Sequence, residues 1–398
     1  MLKIHNLTPD HFHHKYYLSN EKATMISDYC WRLGVAFAFD DSSNLCEVEL
    51  TKEDFVVDSL LEIDWAYLQK NVNKKLIITH RTIISLEIVY KTLNDLVEKY
   101  NCADRVWWYS INPLDFKLKS NLKFNLAFLD SFTNVFCEAY ILAQYHSRRN
   151  KLTWSLFEDE SVYYVKQRDF SKSANYYLSS SHTTKSHRLL STYLIKDRIG
   201  FEKGRVSFLG LGKWHPAQEF NDHTKYLIEQ KDKLLSYNID VEELLEFQKF
   251  RAYLDDPEAT PAACMKSSYL DILESCLVNF VNEATSNNLE IFITEKTWQN
   301  YAIGRPFILN GNKGALQYLN RYYGFKSFDP IIDETYDLKD NFIDRTYYAV
   351  DALFKFCSLP FSEAKSKIES LSEVFDHNFN VFNSIDHKGK FLRMFDGI

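Results

Sequence analysis

Glycine and proline are scarce in this chain, 11 and 8 among 398 residues. Their scarcity excludes collagenous and low-complexity classes and leaves Asn, Asp and Ser to make most of the turns. The seven cysteines, at 30, 46, 102, 137, 264, 276 and 357, form no C-x-x-C pair and are odd in number. Neither a zinc knuckle nor a disulfide framework is signalled, and a reducing compartment fits that usage. Apolar runs are broken by charge well before the roughly 18 residues of a membrane span, and MLKIHNLTPDHFHHKYY holds no signal-peptide core. The expectation is a cytoplasmic protein with no membrane partner. Positive charge is not in excess: the formal net charge is −7. That disfavours a chain wholly devoted to gripping nucleic acid but allows a local basic cleft.

Several catalytic signatures are missing as well. No GxxxxGK[ST] or GxGxxG loop is present, and LGLGKW at 209–214 has the glycines and a lysine at the wrong spacing. The absence lowers the case for kinases, ATPases and dinucleotide oxidoreductases. Without G-x-S-x-G or H-E-x-x-H, hydrolase readings weaken too. His11, His13 and His14 cluster, but with no Cys or carboxylate pattern beside them they are read as a surface group, so no metal site is expected.

What is present is an ordinary globular balance, 45% hydrophobic and 25% charged, with an unusual 16% of aromatic residues. The length exceeds the roughly 250 to 300 residues that one hydrophobic core serves, so two domains are expected. Val35 to Phe39 reads as a buried strand stopping at Asp40 and Asp41. Leu76 to Thr79, a helical period through Ile84, Ile88, Leu93 and Val97, and Val106 to Ile111 form a βαβ unit. In open parallel sheets the ligand sits at the carboxyl ends of the strands, here Thr79 with His80 and Asn112 to Asp115. Leu126 to Leu129 reads as another strand, ending in Asp130, and is followed by the basic cluster Arg148, Arg149 and Lys151.

Residues 166–174 lack an apolar period, which places a boundary near 170 and gives domains 1–170 and 171–398. The second domain restarts the alternation: strand NYYLSSS, loop HTTKSHR, helix, strand RVSFLGLG, then a charged helical region over 222–249. Further on, Leu277 to Val281 leads to Glu283, Thr294-Glu295-Lys296 opens a helix that stops near Gly304, and Phe307 to Leu309 forms the next strand. The fold class expected is α/β, with two Rossmann-like domains.

Two places concentrate chemistry. A helix start attracts phosphate through its backbone N–H groups and dipole, and Lys296 adds a full charge there. Phosphate repels the adjacent Glu295 unless that side chain turns to a ribose diol, so the pair suits a nucleotide diphosphate better than a lone phosphate. In HTTKSHR, Lys185, His187 and Arg188 converge, and Arg188 is the geometry of choice for gripping two phosphate oxygens at once. Each of these side chains also has a plain alternative, a first-turn surface pair in one case and a partly exposed loop cation in the other. Trp107, Trp108 and Trp214 are either stacking platforms or core.

At these same residues the sequence resembles viral and bacterial glycosyltransferases distantly similar to the α-1,3-fucosyltransferases. The carriers are the His187-Arg188 helix start, Val281-Asn282-Glu283, Phe292 to Trp298, Gly304 to Ile308, and His377-Asn378, within about residues 175 to 385. The resemblance implies a GT-B architecture of two facing Rossmann-like domains, a first domain for the acceptor and a second for a nucleotide-diphosphate sugar donor. It implies no bound cofactor or metal. Thr294 belongs to its most specific block. Glu295 would hold the donor ribose, Lys296 and Arg188 the diphosphate, with Lys185 and His187 beside them, and Glu283 the sugar. If the reaction inverts the anomeric centre, a carboxylate of the first domain takes the acceptor proton, and Asp40, Asp115 and Asp130 are the candidates at strand ends. The Lys-, Asn-, Phe- and Tyr-rich composition suits a bacteriophage enzyme that glycosylates a hydroxylated pyrimidine in double-stranded DNA. Lys74, Lys75 and the Arg148 cluster would then supply a basic groove. A glycan or polysaccharide acceptor and a non-catalytic sugar-nucleotide-binding module are the alternatives.

Overall fold

The structure is a computed structural model describing residues 2–6, 37–39, 42–50, 60–80, 86–110, 122–128, 170–181, 185–208, 224–252, 272–286 and 291–385. The chain separates into two compact units, the first holding the described residues up to Phe128 and the second those from Phe170 to Ile385. Each is α/β with a parallel sheet.

The first unit carries six strands, β1 (Leu2–Asn6), β2 (Phe37–Phe39), β3 (Leu45–Leu50), β4 (Lys75–His80), β5 (Val106–Ser110) and β6 (Asn125–Phe128). They lie in the order β2-β1-β3-β4-β5-β6, all parallel. Helix α1 (Trp65–Lys70) precedes β4, and α2 (Leu86–Lys99) links β4 to β5, the βαβ unit expected. Leu76 and Ile78 of β4, Leu93 and Val97 of α2 and Trp108 of β5 belong to one buried cluster. Trp108 is fully buried, with its ring edge-on to Tyr90 at 5.6 Å, so it is core and offers no stacking platform. The strands β1 and β3 carry little signal: LKIHN is short, and LCEVEL alternates apolar with acidic residues as an exposed strand would. Yet Glu47 of β3 is fully buried and accepts a hydrogen bond from Thr79 Oγ1 at 3.2 Å.

The second unit has four strands, β7 (Asn175–Ser181), β8 (Gly204–Phe208), β9 (Cys276–Asn282) and β10 (Phe307–Asn310), in the parallel order β10-β9-β7-β8. Every residue of CLVNFVN in β9 is buried, as befits a central parallel strand covered on both faces. Helix α3 (Ser186–Arg198) joins β7 to β8. Helices α4 (Lys231–Leu235) and α5 (Val241–Phe247) follow β8, and α6 (Glu295–Ile303) joins β9 to β10. The short α7 (Ala315–Tyr318) comes next, then α8 (Phe342–Cys357), α9 (Phe361–Glu369) and α10 (Ser372–Asn383). Helix α8 packs on α3 and β10, and α6 packs on α10.

The local reasons for α6 are legible. Thr294 is its N-cap, accepting from the Lys296 amide at 3.3 Å, and Gly304 ends it in the left-handed conformation at φ 67°, which a side chain there would strain. Arg305, just beyond, is buried over the Phe170 ring at 4.2 Å and donates to the Cys276 carbonyl at 3.2 Å, tying the helix exit to the start of β9.

The two sheets share one logic. Counting strands along the chain within each unit, both begin in the order 2-1-3-4, so the first connection leaves to one side and the third strand continues on the other. In the second unit that reversal lies between β7 and β9. Loops after the carboxyl ends of two such strands diverge and leave a crevice. Among the described residues, no helix is long and apolar enough to cross a membrane.

Candidate functional site

At the β7/β9 reversal, polar side chains replace the apolar ones that fill the sheet below. Asn282, the last residue of β9, accepts from Ser191 Oγ at 2.9 Å and from Asn310 Nδ2 at 2.7 Å, and donates to Ser181 Oγ at 3.0 Å. Asn310 accepts from Thr346 Oγ1 at 3.0 Å. These groups are all buried, and their mutual bonds offset the cost of removing them from water. The network fastens β7, β9, β10, α3 and α8 together at their common rim.

Glu283 follows directly and links two helix starts. Its carbonyl oxygen receives His187 Nε2 at 2.9 Å, Arg188 Nε at 3.0 Å and Arg188 Nη2 at 2.8 Å. Its carboxylate receives the Thr294 amide at 3.0 Å, the Thr297 hydroxyl, and the Ala284 amide at 3.3 Å. The side chain is fully buried, and a Cβ added at Gly311 would stand 3.2 Å from Glu283 Cβ and Cγ, so the Gly311 backbone packs tightly against it there. Lys296 Nζ donates to Thr294 Oγ1 at 3.4 Å, beside the same carboxylate-bound cap.

Above this framework lies a cavity of about 610 Å³, within the range of small-molecule sites. Lys185, Ser186 and His187 line it from the start of α3, Ala284, Thr285 and Ser286 from the segment after β9, and Tyr226 and 340–342 complete it. Arg345 of α8 holds these walls: Nε donates to Gly311 O at 2.8 Å, Nη1 to Lys339 O at 2.6 Å, and Nη2 to Ser286 O. Burial brings its guanidinium down to about 10, with Asp337 and Asp340 opposing that shift. Thr285 is tied by its hydroxyl to Asn312 Oδ1 at 2.8 Å. Asn341 caps α8 by accepting the Ile343 amide at 2.7 Å. Asp340 pairs with Lys313 at 2.5 Å, and that bond holds its carboxyl below the ordinary value.

The expected site residues are thus sorted. Lys185 and His187 line the cavity. Arg188, 5% exposed, is outside the lining and grips the Glu283 carbonyl, so its fork braces the chain where pairing with two phosphate oxygens was expected. The Glu283 carboxylate, expected at a sugar, binds the first turn of α6. Thr294 and Lys296 gather at that turn, and Glu295 is its first residue. Asp40, Asp115 and Asp130 lie outside the described residues, as do His11, His13, His14, Arg148, Arg149, Lys151 and Trp214. Among the described residues no group of three or more His, Cys, Asp or Glu could hold a metal ion. No protein-family model, curated protein or solved structure matches this chain.

Tyr226, residues 284–286 and residues 340–342 were not singled out by sequence. Only the strand order, which puts the ends of β7 and β9 side by side, brings them to one crevice.

The arrangement can do specific chemistry. A cation at Lys185, beside the positive end of a 13-residue helix, favours an anionic group in the cavity. His187 presents an imidazole in the lining while Nε2 is fixed on a backbone carbonyl. The bonds around Glu283 preorganise both features.

Proposed function

We propose that this chain is a nucleotide-sugar-dependent glycosyltransferase and that the second unit binds the donor. The observation that carries the reading is the cavity at the strand-order reversal, with Lys185, Ser186 and His187 at its wall. Doubly wound sheets bind nucleotides at such a reversal. The resemblance carried by the Thr294-Glu295-Lys296 block supplies the reaction class, and the two units then correspond to the two Rossmann-like halves of a GT-B enzyme.

When the glycosidic bond to the donor breaks, negative charge develops on the departing nucleoside diphosphate. Lys185 and the start of α3 stabilise that charge in place, and Lys296 does so from α6 if the diphosphate spans both helix starts. Arg188 and Glu283 act as positioning residues that keep those helix starts in register. The acceptor, a hydroxylated pyrimidine base in DNA in this reading, is bound by the first unit; if transfer inverts the anomeric centre, a carboxylate at Asp40, Asp115 or Asp130 takes the hydroxyl proton as the acceptor oxygen bonds to the sugar and the nucleoside diphosphate leaves.

Release of nucleoside diphosphate from a panel of sugar nucleotides, with and without hydroxymethylated DNA, tests the proposal. DNA-stimulated release is the expected result, with Lys185→Ala reducing it at least tenfold while the melting temperature is kept. Release stimulated only by a glycan moves the acceptor to the carbohydrate class. Binding without turnover for every donor and acceptor refutes the enzyme reading and leaves a binding module.

A further inference from the structure

The cavity has two chemically distinct portions. One is cationic and helix-terminal, at Lys185 to His187; the other is aromatic, where Tyr226 meets Phe342 with ring centroids 5.2 Å apart and planes inclined at 31°. Phe342 is 6% exposed and serves as a buried footing, whereas Tyr226 is 43% exposed. The phenol ring is therefore supported on one side by a fixed neighbour and remains accessible in the cavity lining. A ligand with a polyanionic segment and a flat, uncharged ring satisfies both portions.

We propose that Tyr226 is the stacking platform for the nucleobase of a nucleoside diphosphate whose phosphates lie at Lys185. The inference rests on the donor reading given above and adds the orientation of the ligand and the residue that recognises its base. Base–aromatic stacking contributes about 1–3 kcal/mol, which converts to roughly a fivefold to 150-fold change in affinity.

The test is calorimetric titration of the full chain with uridine diphosphate, guanosine diphosphate and inorganic pyrophosphate, for wild type, Tyr226→Ala, Tyr226→Phe and Lys185→Ala. Tyr226→Ala should weaken the preferred nucleoside diphosphate at least fivefold and leave pyrophosphate affinity unchanged. Tyr226→Phe, which keeps the ring, should bind as wild type does. Lys185→Ala should weaken all three ligands. Circular-dichroism melts verify that each variant is folded, and a Tyr226→Ala that fails to fold passes the test to Tyr226→Leu, which keeps bulk without the π face. Equal nucleotide affinity for wild type and the Tyr226 variant overturns this inference and leaves the donor reading standing. A parallel loss of pyrophosphate affinity overturns it too, because the ring would then act on the phosphates. A wild-type protein that binds neither nucleotide overturns both. Nucleotide binding that depends on Tyr226 without any sugar transfer refutes the transferase alone.

Discussion

Removing the Glu283 carboxylate separates a structural role from a substrate-binding one. In Glu283→Ala the Thr294 amide and the Thr297 hydroxyl lose their acceptor in a fully buried place, and the Ala284 amide loses a longer one. Hydrogen bonds to a charged group contribute about 1.5–3 kcal/mol each, and stranded buried donors cost a similar amount. Counting two good bonds and setting the third aside gives a destabilisation on the order of 3–6 kcal/mol. Folded domains have only about 5–15 kcal/mol to lose, so the effect is large. Glu283→Gln keeps the shape and one acceptor oxygen but points an N–H₂ group at a donor, and should cost about 1–2 kcal/mol. Urea denaturation followed by far-ultraviolet circular dichroism reads both values from the transition assigned to the second unit. A loss under about 1 kcal/mol for Glu283→Ala would refute the reasoning, the more so if donor turnover vanished, since the carboxylate would then be serving a ligand.

Two other outcomes follow from the same unit. Burial pushes the Glu334 carboxyl up to about 7 and the Asp337 carboxyl up to about 6. Both therefore bind a proton more tightly folded than unfolded, and their contribution to stability, complete below about pH 4, is lost as pH rises through 6 to 7. The melting temperature of Glu334→Gln relative to wild type should thus rise between pH 5 and pH 8, and a pH-independent difference would rule Glu334 out as the titrating group. Arg345→Met removes the donors to Gly311, Lys339 and Ser286 together, and should cost about 2–4 kcal/mol while loosening the cavity walls. Increased hydrogen exchange at residues 284–286 and 339–341 would register that loosening, and unchanged exchange there would deny Arg345 the role.

Much of the second unit was legible because its strands are covered on both faces. NYYLSSS and CLVNFVN stand out between polar segments, and Thr294 and Gly304 mark the start and stop of α6 by capping chemistry that acts within a few residues. Strands β1 and β3 escaped notice, one for brevity and the other because its alternation resembles an exposed strand although Glu47 is buried. Arg188 shows why residue type alone did not settle the site. A guanidinium in a loop between a strand and a helix looks like a phosphate clamp, yet here it satisfies a backbone carbonyl left at the end of β9.

By itself, then, the sequence determined some local matters: where β7, β9 and α6 lie, that the units are α/β, and that cations gather at the starts of α3 and α6. Tertiary structure alone decided that Lys185 lines the cavity while Arg188 braces the chain at the Glu283 carbonyl. Local signals depend on residues within a turn or two of one another. The cavity depends on β9, about a hundred residues further along the chain, inserting beside β7, and only that pairing sets Tyr226, Ser286 and Phe342 around Lys185.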